Sequence, residues 1–417
     1  MDRGSQVTTP VGTQPEPDDG DPSMQRSHRA ILLGGALVPT ALSALGAQPT
    51  PRRLPPPTSE LTEPFSSVAG LRELSDGRTI ILDSRERAVW ITDRAFRTAS
   101  KVGREGRGPG EYSRPVALVA MPGDTTWISD GGSRSTLVLA PNGAFAPNEP
   151  AIAIRPAEGV TYTVTPRGTD VQGRLYMALP LGLIDRGPDD RGETPIVRYD
   201  RRTSRFDTVG TFTDPTRVRR TPAATQPVPG SGGGLRIGAS GGGIGYAGRD
   251  EWAVAPDGAV AIVRVEPYRI DWMLPNGSTH RGPDVPYAKV RVRDAEKQEL
   301  LDELESRGGP TITTRGADGR TQTQTLPPNA PQSWAEHKPP FVASSVIAAP
   351  NGTLWVQRSA PAGEKDVAWD VFDRSGAIAS RVLLPRRARV VGFGRNAVYV
   401  ARYDDDDLMY VARYALP

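Results

Sequence analysis

Short apolar runs, each opened by a polar turn, recur along this chain from residue 76 onward. One series comprises Asp76–Asp83, Gly123–Asp130, Gln172–Ala178, Asp257–Arg264, Asn351–Gln357 and Arg395–Ala401. A second series alternates strictly with the first: Val89–Asp93, Leu137–Gly143, Ile196–Asp200, Ile270–Gly277, Trp369–Gly376 and Met409–Tyr414. The turns are rich in Asp-Gly and Asn-Gly, and hairpins favour these residues because they tolerate positive φ. Fainter apolar strands flank both series, as at Pro115–Ala120 and Phe341–Ile347. Four antiparallel strands repeated six times in a single phase predict an all-β fold, a six-bladed β-propeller of four-stranded antiparallel blades. It occupies residues 65–417.

The last repeat reaches Pro417 straight after its third strand. The stretch Arg53–Phe65, within a Pro-rich linker and closing strand over 48–64, is placed to supply the outer one. Pairing the two ends would remove open sheet edges. In a four-stranded meander, first-to-second and third-to-fourth turns share one rim; second-to-third turns and blade connections share the other. Tight turns such as Asn142-Gly143, Asn276-Gly277 and Ser375-Gly376 belong to the first rim, which is expected to be inert. The long segments 179–193, 213–250, 279–340 and 402–408 belong to the second. Function collects on long loops, so this is the expected working face.

The insertion 279–340, between blades 4 and 5, contains a predicted helix over 290–307. Asp294 is its expected N-cap, Leu300, Leu301 and Leu304 mark one face, and Gly308 stops it. It would serve either as a lid over the propeller mouth or as a seal for a blade edge. The insertion 213–250 is Gly-rich, and Gly238-Ala-Ser240-Gly-Gly242 fits a nucleophile-elbow spacing formally. That spacing needs a strand–turn–helix context with Asp and His to follow, and none is evident.

Composition narrows the function classes. Cysteine is absent, which removes disulfides, thiolate chemistry and cysteine zinc sites. Only five of the 51 basic residues are Lys, and the Arg are scattered among 48 acids for a net charge of +3. No basic stripe suggests nucleic acid as a partner. Residues 24–47 read as a signal peptide: a basic Met24–Arg29, an apolar Ala30–Leu45, and small residues before Gln48. The expectation is cleavage near Ala47, with residues 1–23 a disordered or untranslated extension. A periplasmic or extracellular monomer without a membrane span would result.

The passage Lys101-Val-Gly-Arg-Glu-Gly-Arg-Gly-Pro-Gly-Glu-Tyr112, followed by Pro115 and Trp127-Ile-Ser-Asp130, resembles one common in bacterial six-bladed propellers. Those proteins are similar in outline to NHL-repeat propellers, and many are exported. The resemblance implies the fold and carries no catalytic residue with it.

Candidate chemistry lies where strands of the first series end. Asp83, Asp130, Arg264, Arg358 and Arg402 occupy comparable places there, with Arg85, Arg87, Arg134 and Glu266 nearby. A rim of Asp and Arg would grip a small polar ligand or a protein. The plainer alternative has each Asp capping its own loop. The function expected is a binding module. The alternative is a metal-assisted hydrolase or lactonase with Asp83 and Asp130 around a central ion, so the enzyme question stays open. No cofactor is implied firmly. Asp404–Asp407 would suit calcium, against the plainer reading of a solvated hairpin tip. Beyond the leader only His280 and His337 are available, each in a polar insertion, which suits a surface role better than a zinc site.

Overall fold

The computed structural model describes residues 49–132, 135–157, 160–179, 192–215, 242–307, 309, 311–315, 321–325 and 327–417. The extension 1–23, the leader-like segment 24–47, Arg134, Gly308 and the Gly-rich stretch containing Ser240 lie outside them.

Two short strands, β1 (Arg52–Arg53) and β2 (Ser59–Glu60), come first. Blade 1 is β3 (Val68–Glu73), β4 (Thr79–Asp83), β5 (Ala88–Thr92) and β6 (Ala99–Val102). The paired strands β7 (Arg104–Glu105) and β8 (Glu111–Tyr112) fold the connection to blade 2. That blade is β9 (Pro115–Ala120), β10 (Thr126–Asp130), β11 (Ser135–Leu139) and β12 (Phe145–Pro150). A hairpin of β13 (Ala153–Ala157) and β14 (Val160–Thr163) precedes blade 3. Blade 3 is β15 (Gly168–Thr169), β16 (Leu175–Ala178), β17 (Glu193–Asp200) and β18 (Arg205–Thr213). After β19 (Gly242–Gly245) comes blade 4: β20 (Glu251–Val254), β21 (Val260–Arg264), β22 (Arg269–Met273) and β23 (Thr279–Arg281). The next connection holds α1 (Asp294–Arg307), β24 (Thr311–Arg315) with β25 (Thr321–Thr325), and β26 (Pro331–Trp334). Blade 5 is β27 (Phe341–Ala348), β28 (Leu354–Arg358), β29 (Asp366–Phe372) and β30 (Ile378–Pro385). Blade 6 is β31 (Ala388–Phe393), β32 (Ala397–Tyr403) and β33 (Met409–Ala415), completed by β2.

The continuous apolar runs of the second strands follow from this arrangement. A blade sits between two neighbours, so both faces of its inner strands are buried. Every residue of β4 is buried: Ile80 and Leu82 pack toward blade 2, while Ile81 packs toward blade 6. The same alternation splits β32, where Val398 and Val400 face blade 5 and Tyr399 and Ala401 face blade 1. Six hydrophobic clusters result among the described residues, and each lies across one blade interface. The tight turns take the expected form. At Asp257-Gly258, Gly258 has φ +88° and donates to Ala255 O, while Asp257 Oδ1 accepts from Ala259 N–H.

Closure joins the chain's two ends. Ser59 pairs with Arg413 and Glu60 with Ala412 in antiparallel register. The pairing extends through Leu61, whose N–H donates to Val411 O, to a bridge between Phe65 and Met409. Leu61 and Phe65 are buried in the cluster between blades 6 and 1. The N-terminal segment also serves blade 5: β1 runs parallel to β30 as a fifth, outermost strand, and Arg53 pairs with Asp366.

The two long insertions are knit together. β19, from the first, pairs in parallel with β26, from the second. Tyr246 then donates its hydroxyl hydrogen to Glu296 O at 2.8 Å. The helix begins one residue earlier than its expected cap implies. Arg293 O accepts from Lys297 N–H, which makes Arg293 the N-cap, and Glu296 Oε2 accepts from Arg293 N–H in return. With Arg293 as N-cap the third helical residue is Glu296, whose carboxylate reaches back to the cap's N–H, one half of a capping box. At the other end, Arg85 of blade 1 donates to Ser306 O at 3.0 Å. The helix thus bridges the rim between blades 5 and 1, with Leu300, Leu301 and Leu304 only half-buried.

Candidate functional site

Strand ends place the expected residues on the loop-rich rim, and local bonding decides what each can do. Asp83 is fully buried at the end of β4 and accepts four backbone N–H groups, from Ser66, Ser67, Arg85 and Glu86, at 2.7–3.2 Å. Asp130 does the same for Ser113, Arg114 and Gly132. In both blades the carboxylate ties the entry of the first strand to the loop after the second. Blade 4 reverses the direction. There Asp250, just before β20, accepts from Thr213 N–H and from Val265 N–H after β21. These are caps on backbone donors.

The arginines repeat a different device. Arg264 pairs with Asp271 and Asp250, both at 2.9 Å; Arg358 pairs with Asp370 at 3.0 Å; Arg402 pairs with Glu60. The geometry recurs because Asp271 lies opposite Ile262, and Asp370 opposite Val356, two residues before the arginine in each case. In blade 6 that place on the third strand is Ala412, and Glu60 of β2 beside it provides the carboxylate. Glu266 is exposed in the turn after β21. These residues are spread over blades 1, 2, 4, 5 and 6, and of them only Arg358 lines the cavity beside blade 5.

That cavity measures about 470 Å³ and lies between blade 5 and the segment leading into α1. Among the described residues, Lys289, Arg291, Arg293, Arg358 and Arg381 contribute five cations to its lining, against the single carboxylate of Glu296. Ala288, Val290, Pro361 and Ala368 provide apolar wall. Its inner side is rigid: fully buried Asp370 takes Arg358 on Oδ2 and Arg381 on Oδ1, the latter at 2.6 Å. Arg358 also lies over the rings of Tyr268 and Tyr287, at 5.5 and 5.8 Å. Burial, more than the nearby Asp370 charge, pushes the Tyr268 hydroxyl well above its ordinary range, so it stays a neutral donor.

Glu296 is already committed. Its Oε1 accepts Ala362 N–H at 2.9 Å and its Oε2 accepts Arg293 N–H at 3.1 Å. The Ala362 bond, with help from Arg293, holds its carboxyl below the usual range against the opposing effect of burial. Lys289, Arg291 and Arg293 are exposed, and among the described residues none has a carboxylate partner.

A smaller cavity of about 350 Å³ opens between blades 2 and 3 on the tight-turn rim, around Trp127. Arg201 stacks on that ring at 4.2 Å, and Glu149 and Asp200 balance Arg201 and Arg202. Its charges cancel, whereas those of the larger cavity do not.

Other candidates resolve locally. Asp404 caps its own hairpin by accepting Asp406 and Leu408 N–H groups, and Arg387 clamps the tip through Asp407. His280 meets Ser375 O, and His337 lies near Glu336. Among the described residues, no three His, Asp or Glu side chains gather as a metal site. The 101–112 motif is built around Glu111, whose carboxylate accepts from Arg107 and Gly108 N–H and from Arg104 Nε. A Cβ on Gly106 would fall 2.0 Å from Glu111 Oε2, which explains that glycine.

Fold and rim define the class, a six-bladed β-propeller with one face built up by insertions. No family model and no curated protein matches the chain. Solved structures align over most of its length. A Bacteroides fragilis protein named as exported matches at 11% identity and TM-score 0.44, over 84% of this chain and 91% of its own. Virginiamycin B lyase from Staphylococcus aureus matches at 11% and 0.34, over 86% and 96%. The calcium-binding protein regucalcin from Agrobacterium tumefaciens matches at 10% and 0.37, again over 86% and 96%. At such values these likenesses carry neither a residue nor a reaction to this chain.

Proposed function

We propose that this chain is an exported, NHL-like propeller that binds a small polar ligand in the 470 Å³ cavity on its loop-rich rim. The observation that carries the reading is the cavity itself, where a rigid Arg358–Asp370–Arg381 wall faces exposed polar side chains of an insertion. Its volume falls in the range of small-molecule sites, about 300–1,000 Å³. Export is supported by the basic, apolar and small-residue order of residues 24–47. Among the described residues no helix is long and apolar enough to cross a membrane. The alternative, hydrolysis at an ion held by Asp83 and Asp130, draws no support from their geometry, because both carboxylates already serve backbone amides.

The reading is tested by blocking the cavity without changing its charge. Ala288 lines it and is exposed, so Ala288→Trp fills the opening while the core stays intact. Ligands found by thermal-shift screening of the wild type should lose roughly tenfold or more in affinity for this variant. Ligands that bind both proteins equally would place the site elsewhere and end the proposal.

A further inference from the structure

We infer that the cavity between blade 5 and α1 selects a small organic polyanion carrying carboxylate or phosphate groups. This rests on the cavity being the binding site. The argument is one of charge and of what is already spent. Among the described residues, five cations line the space, and the one lining carboxylate, Glu296, is committed to the backbone amides of Arg293 and Ala362. Asp370 lies behind the wall, fully buried, and orients Arg358 and Arg381. Planar guanidinium groups match the paired oxygens of carboxylates and phosphates, and a group already held in place loses little entropy on binding.

Lys289, Arg291 and Arg293 approach the same space from one short segment, so their charges repel one another. An incoming oxyanion relieves that repulsion, while a neutral ligand leaves it in place. The apolar wall of Ala288, Val290, Pro361 and Ala368 offers nothing to a bare inorganic ion. It suits a carbon skeleton between the charged groups, which is why the inferred ligand is organic. The three insertion cations are exposed, so the attraction is screened by salt.

The experiment is isothermal titration of the full chain with citrate, fructose 1,6-bisphosphate, inorganic phosphate and the neutral polyol sorbitol. Citrate or the bisphosphate should bind one to one, and which of them does so separates carboxylate from phosphate recognition. Inorganic phosphate should bind more weakly and sorbitol not at all. Raising the salt roughly tenfold should weaken the winning anion by about an order of magnitude. The double variant Arg291→Gln/Arg293→Gln changes only exposed side chains and spares the Asp370 wall, so it should fold and lose roughly tenfold or more.

Failure of both organic anions to bind at low salt overturns the inference, as does binding that the double variant leaves unchanged. If neutral ligands bind in an Ala288→Trp-sensitive manner while both anions fail, the anion class falls and the cavity stands. Anion binding indifferent to Ala288→Trp removes the cavity reading, and this inference with it.

Discussion

Phe65 and Met409 exchange two backbone hydrogen bonds, at 2.8 and 2.7 Å, although they stand near opposite ends of the chain. Phe65 also fills the cluster between blades 6 and 1 and meets Trp90 edge-on at 5.6 Å. Phe65→Ala should therefore cost about 3–5 kcal/mol, the range for emptying a buried aromatic site. Deleting residues 49–65 should do more, since it uncovers the edge of β33. Urea denaturation and sedimentation would check both. A truncated monomer with an unaltered midpoint would refute the role of closure.

The same interface depends on a close backbone approach. A Cβ on Gly392 would lie 2.5 Å from Leu71 O, whereas one on Gly70 would meet nothing within 4 Å. Gly392→Ala should destabilise by about 1–3 kcal/mol, as overpacking does, and Gly70→Ala by much less. Equal midpoints for the two variants would contradict the packing described.

Asp83 should be structural in experiment too. Asp83→Ala leaves the amides of Ser66, Ser67, Arg85 and Glu86 without their acceptor. A loss of about 1–3 kcal/mol is expected, because water can reach part of this loop and replace some bonds. Ligand affinity should not change. A variant of full stability with lost affinity would return Asp83 to the binding face.

The docking of α1 should depend on acid. The folded carboxyl of Glu296 lies below its ordinary value, chiefly through the Ala362 bond. Its contribution is therefore complete above the unfolded glutamate value and drains away as pH falls through the folded one. Protection of the Ala362 and Arg293 amides from hydrogen exchange, relative to the intrinsic rate at each pH, should fall over that acidic window. In Glu296→Gln that protection should be low and nearly flat from neutral pH downward.

Much of this fold is legible in the chain because burial on both faces writes itself into runs such as Ile80-Ile81-Leu82. Asp-Gly and Asn-Gly mark the tight rim equally plainly. The cavity is far harder to read. Its cations come from 289–293, Arg358 and Arg381, which only tertiary packing brings together. One signal was present: Asp370 interrupts Val367-Ala-Trp and Val371-Phe372, and a charge in so apolar a strand demands partners. Asp294 is the better cap by residue type, yet the helix is capped one residue earlier, at Arg293. The bond that Glu296 accepts from Arg293 N–H outweighs that preference.

Every core cluster is shared between two blades, which has a consequence in time. No blade possesses an interior of its own, so none gains its full stability while alone. During synthesis β2 emerges long before β33, the strand that it must join. The first-made edge therefore waits, unpaired, for the last-made one. Folding of this kind is governed by distant contacts and is slow, and its intermediates expose strand edges. The seam between β2 and β33 is therefore the last part of the ring that synthesis allows to be sealed.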